Sequence, residues 1–123
     1  PDHLTANPLG KVPTLDHDGT IVTETGAICA YLADTFPDAN LCPAPHTHER
    51  GNYCRWMFFT VSAFEPAMID KALKREPGPK TMMSYGDFDS MIDVVAGALA
   101  KGPFLLGDKF SAADVVLGSN IRW

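Results

Sequence analysis

The sequence predicts an α+β chain: a β-hairpin and one helix come first, a proline-rich linker follows, and the remainder is helical. Three observations carry this. Two short apolar strips flank Asp18-Gly19, a dipeptide suited to the positive backbone angles of a two-residue hairpin. Pro37, Pro43 and Pro45 fall in a stretch with neither helical nor alternating period. Beyond His48 the apolar residues recur at helical steps.

Taken in order, the hairpin pairs about 12–15 with 20–22. "TETGAICAYLADTF" then reads as a short amphipathic helix, with Thr25 as its N-cap, Ile28, Tyr31, Leu32 and Thr35 at helical spacing, and Pro37 as its stop. The linker spans 37–46. From His48 to about Arg75 the positions Met57, Val61, Phe64, Met68 and Leu73 form a stripe that Trp56, Phe58 and Phe59 widen, so little of that turn is expected to face water. Thr47 caps its start. Glu65-Pro66 lies inside this helix, where a proline deletes one backbone bond and clashes with the preceding turn, so a bend is expected. A second long helix, antiparallel to the first, is expected from Lys80 to Ala100, with Phe88, Met91, Ile92, Val95 and Leu99 on one face. A third starts at Ser111. There Ser111 and Asp114 have the spacing of a structural capping box, and Phe110 and Val115 that of a hydrophobic staple. This last helix is apolar on nearly all sides and the hairpin has only two strands, so both are expected to need further chain beside them.

Composition narrows the function classes. The 123 residues are 46% apolar, enough for one compact domain or parts of two, and the net charge is −5 without a Lys/Arg cluster. That balance argues against nucleic acid and against an anionic membrane surface as partner. No apolar run approaches the ~20 residues of a membrane span, and the first residues lack the features of a signal peptide, so a cytoplasmic setting is expected. Cys29, Cys42 and Cys54 are odd in number and form no C-x-x-C pair, which favours reduced thiols. His46 and His48 in "HTHE" lack a clear third ligand, so no metal is expected. His3 and His17 fall in exposed turns and carry no role.

The chemistry lies in two short stretches. Pro13 in "NPLGKVPTL" stands where a strand would want a donor, and alone it marks no more than a strand start or edge. About ten residues later Thr25 opens a helix, whose free amides and positive dipole suit a carboxylate; a simple N-cap is the plainer reading. Taken together, "NPLGKVPTL-DHDGTIVTETGAICAYLADTFP" resembles the second half of the thioredoxin-like domain of cytosolic glutathione transferases. "GPFLLGDKFSAADVVLGSNIRW" is similar to the same family's C-terminal signature, a Gly-Asp followed by Ser-x-x-Asp. The helices between match by length and character only.

The resemblance, of bacterial type and incomplete at both ends, implies three parts. They are the C-terminal half of a thioredoxin-like, glutathione-binding domain at 1–36, a linker at 37–46, and a partial all-helical domain at 47–123. It implies a cis Pro13 that turns Val12 outward to pair with the cysteinyl main chain of glutathione. Glu24 and Thr25 would hold its γ-glutamyl end, and Lys11 its glycyl carboxylate or merely solvent. The implied reaction is attack of the glutathione thiolate on a small hydrophobic electrophile, as in detoxification, by a cytoplasmic homodimer with glutathione as co-substrate. The family's thiol-stabilising Tyr, Ser or Cys lies near the first strand and helix of that domain, where none of Tyr31, Tyr53 or Tyr85 stands, so no catalytic residue is assigned. Tyr53 and Trp56 are candidates for the electrophile pocket, with core or dimer packing as the alternative. A non-catalytic interaction module of the same fold, or a glutathione-dependent isomerase or peroxidase, remain as other readings.

Overall fold

The computed structural model describes residues 2–121. It opens with a one-turn helix, α1 (His3–Ala6), too short to leave a periodic signal in the sequence. The hairpin follows as β1 (Thr14–His17) and β2 (Thr20–Thr23), antiparallel, with Thr14 opposite Thr23 and His17 opposite Thr20. Asp18 and Gly19 both have positive φ, 51° and 84°, as a primed two-residue turn requires. The Gly19 amide donates to the Asp16 carboxylate at 2.9 Å. Pairing begins at Thr14 rather than residue 12, because Pro13 has no N–H to give the ladder.

Helix α2 (Thr25–Thr35) ends two residues before Pro37, which enters a short 3-10 turn, Pro37–Ala39. Its N-cap is Glu24, not Thr25, and no side chain caps it. Helix α3 (His48–Phe59) is capped as expected, the Thr47 hydroxyl accepting from the Arg50 amide at 3.3 Å. It continues through a π turn, Thr60–Phe64, into α4 (Glu65–Ala72). Pro66 explains the wide turn in place of a simple bend. In a regular helix its N–H would serve the Ser62 carbonyl; here the Ser84 hydroxyl donates to that carbonyl instead, and the Glu65 amide reaches back five residues to Thr60.

Helix α5 (Phe88–Leu99) starts eight residues later than the apolar spacing predicted. Gly86 takes φ 68°, and Asp87 caps the helix by accepting from the Ser90 amide at 3.0 Å while Lys80 sits 2.9 Å from its other oxygen. Residues 80–87 are therefore a pinned connection. Helix α6 (Ala112–Ile121) begins one residue after Ser111. The Asp114 carboxylate accepts from the Ser111 amide and hydroxyl, both at 2.9 Å, and from the Leu105 amide at 2.8 Å. Phe110 meets the ring of Phe104 edge-on.

One core joins these pieces. Ala33 of α2, Tyr53, Trp56 and Met57 of α3, Met91 and Val95 of α5, and Ala113, Val116 and Leu117 of α6 are buried together. Fully burying a methionine, valine or leucine side chain of this core contributes about 1.5–3 kcal/mol. Phe58 corrects the expected all-round burial: it is 71% exposed, because it faces away from the side where Trp56 and Met57 pack. The Tyr53 hydroxyl is buried without a partner among the described residues, and burial pushes its pKa up to about 12. A clamp ties α2 to α3: both Asp34 oxygens take Arg50 N–H groups at 2.8 Å, and Arg50 also donates to the Pro43 carbonyl at 3.1 Å. That guanidinium holds the Asp34 carboxyl below the usual range, while burial and then Asp34 push the Cys42 thiol up. No helix among the described residues is long and apolar enough to cross a membrane.

Candidate functional site

The site is built at the open end of the hairpin. Asn7 is 3% exposed, and its side chain organises the turn that follows: its carbonyl oxygen accepts from the Leu9 amide at 3.2 Å and its amide donates to the Lys11 carbonyl at 2.8 Å. Gly10, at φ 64°, closes the turn with a bond from its amide to the Asn7 carbonyl at 2.8 Å. A buried polar side chain with its partners made fixes the chain it bonds, here the approach to Val12. This role of Asn7 escaped sequence reasoning; a short polar residue opening a Pro-x-Gly turn was the signal.

The Val12–Pro13 peptide is cis, as the resemblance implied. Val12 is 82% exposed, and neither its amide nor its carbonyl is hydrogen-bonded among the described residues. Lys11 is exposed beside it. The last pair of the hairpin is Thr14 with Thr23, so Val12-Pro13 and Glu24-Thr25 both adjoin the same end of it. The two stretches singled out by the sequence therefore flank one end of the hairpin.

Glu24 has φ 70° and ψ 123°, a sparsely populated conformation for a residue with a side chain, costing on the order of 1–3 kcal/mol. Its consequence is that α2 begins abruptly. The amides of Thr25, Gly26 and Ala27 find no partner among the described residues, nor does the Thr25 hydroxyl, so free donors and the positive end of the helix dipole lie together at the start of α2. The Glu24 carboxylate is exposed and makes no ion pair among the described residues. The helical part closes one side: Val61 Cγ1 of the π turn lies 3.4 Å from where a Cβ on Gly26 would stand.

Tyr53 and Trp56 are not brought to this locus as open surface. They are 1% and 2% exposed, core residues as the packing alternative had it, because the α3 face that carries them is covered by α6 and its neighbours. Ser111, at the end of the α5–α6 connection, and Asp114, in the first turn of α6, act within the fold. Among the described residues no group of three His, Cys, Asp or Glu side chains converges as a metal site would require.

Comparison with known proteins points the same way. Two family models match, glutathione S-transferase N-terminal domain over residues 1–34 and glutathione S-transferase C-terminal domain over 66–123. Glutathione S-transferase GstA of Escherichia coli O157:H7 is 28% identical over 99% of this chain and 61% of its own length. Maleylacetoacetate isomerase of Rhizobium meliloti is 50% identical across all of this chain and 64% of its own length. The solved structure of a sphingomonad glutathione S-transferase complexed with glutathione superposes with a TM-score of 0.74 and 31% identity, over all of this chain and 62% of that one. The chain spans about three fifths of the length of these relatives. With a thioredoxin-like portion and a helical portion in the order of both family models, this chain is a bacterial-type member of the glutathione S-transferase family.

Proposed function

We propose that this chain holds the glutathione of a transferase that joins the glutathione sulfur to small hydrophobic electrophiles. One observation supports the proposal: the unpaired main chain of Val12 and the free hydroxyl and amides at the start of α2 adjoin the same end of the hairpin, just past its Thr14–Thr23 pair. An extended tripeptide fits such a locus as an added strand, its cysteinyl amide and carbonyl pairing with Val12. Its γ-glutamyl carboxylate would take the Thr25 hydroxyl and the first-turn amides, where charge-assisted bonds and the helix dipole act together. Glu24 would meet the γ-glutamyl ammonium, and Lys11 the glycyl carboxylate.

These contacts fix the backbone of glutathione and leave its thiol free at the middle of the strand. In the transfer the thiol proton passes to a base or to water, and the thiolate's electron pair forms a carbon–sulfur bond while the electrophile's leaving group departs with its own bonding pair or, in an addition, a π bond opens and its far end takes a proton. No residue here is assigned to lower the thiol pKa. The whole protein is proposed to be a cytoplasmic homodimer working without a metal. The 50% identity to a protein named as an isomerase supports glutathione-dependent isomerisation as the second reading; such a reaction would use the same glutathione contacts and differ in the second substrate.

A calorimetric titration tests the proposal. The chain is expected to bind glutathione saturably, and to bind cysteinylglycine, which lacks the γ-glutamyl carboxylate and ammonium, at least about tenfold more weakly. Equal affinity for the two peptides would remove the α2 locus from the account. No binding of either would favour the interaction-module reading.

A further inference from the structure

Gly26 is a helical residue whose backbone does not require glycine: its φ is not positive, and it stands in the first turn of α2. Glycine is disfavoured against alanine in a helix, yet a methyl on residue 26 would meet one neighbour only, Val61 Cγ1 at 3.4 Å, an ordinary contact, so it is a larger side chain that would compete with Val61 for room. Val61 in turn is where it is because of the π turn. One extra residue in a helical turn shifts the facing direction by about 100°, and Thr60–Phe64 is that turn. The turn is held rather than frayed: the Thr60 hydroxyl donates to the Trp56 carbonyl at 3.0 Å, the Ser62 hydroxyl to the Phe58 carbonyl at 2.7 Å, and the Ser84 hydroxyl to the Ser62 carbonyl.

We propose that Gly26 and Val61 are positioning residues for the glutathione site, the π turn of the helical part acting as the stop against which the first turn of α2 is set. The inference rests on the glutathione reading given above. The free amides and the Thr25 hydroxyl are at or next to the contact, so moving α2 away from Val61 displaces those donors from the γ-glutamyl carboxylate of a glutathione whose cysteinyl main chain is held by Val12. Neither residue needs to touch glutathione for this to operate.

A size exchange tests it, read as the glutathione Kd of folded protein. Gly26→Val is expected to raise the Kd about tenfold or more, and adding Val61→Ala to bring it back to within about threefold of the wild type, a coupling in the range seen for residues in contact. Val61 is 39% exposed, so Val61→Phe offers the same push from a position that tolerates bulk, and it is expected to weaken binding similarly. Circular dichroism and melting curves establish folding in each case. Unchanged Kd in folded Gly26→Val and Val61→Phe, or failure of Val61→Ala to restore binding, overturns the inference. A wild type that does not bind glutathione overturns the glutathione reading itself, a distinguishable result.

Discussion

Replacing Asp114 by alanine is expected to lower stability by on the order of 2–4 kcal/mol, a fall of roughly 10 °C in melting temperature. The size follows from what one carboxylate does. It accepts from the Leu105 amide, the Ser111 amide and the Ser111 hydroxyl, at 2.8, 2.9 and 2.9 Å. Leu105 and Ser111 are 5% and 1% exposed, so the amides it abandons cannot turn to water. Each buried donor left unmade costs about 1–3 kcal/mol, more than a surface cap would. Asp114→Asn refines the test: one side-chain oxygen still serves Leu105, while the new amide group points a donor at a donor, so the loss should be intermediate. Thermal and urea unfolding measure both variants. A loss below about 1 kcal/mol for the alanine variant would mean that water or a shifted turn satisfies those amides.

Thr25→Ala is expected to behave in the opposite manner. Glutathione affinity should fall about 10- to 100-fold, the worth of a hydrogen bond to a charged group, while the melting temperature barely moves. The second half of that statement comes from the structure: the Thr25 hydroxyl has no partner within the described residues, so removing it breaks nothing in the fold. Thr25→Ser keeps the oxygen, drops only a methyl, and should bind within about threefold of the wild type. A simple helix cap would give the reverse pattern, with stability lost and affinity kept.

The hairpin was legible because Asp18-Gly19 admits only a narrow set of turns, and the pairing follows from it. What residue types do not encode is where the ladder stops: its last pair is Thr14 with Thr23, which leaves Val12 and Thr25 both outside it, at the same end. The cap of α2 was misplaced by one residue because Glu24 adopts a positive φ that its chemistry does not advertise. The start of α5 was misplaced by eight. Gly86-Asp87 was the signal, and the apolar count ran past it. Pro66 announced a disturbance in the α3–α4 helix, but its form depends on Ser84, distant in sequence, reaching the Ser62 carbonyl. Tyr53 and Trp56 show the limit of apolar spacing: it finds the buried face and cannot say whether protein or ligand covers it.

The most direct test follows the backbone amides of the isotopically labelled chain by NMR as glutathione is added. The account predicts that the signals of Val12, Thr25 and Gly26 move together along one saturation curve, while those of Leu105 and Ser111 in the α5–α6 connection stay in place. Saturable shifts that spare Val12 and Thr25, or no shifts at all, would contradict it.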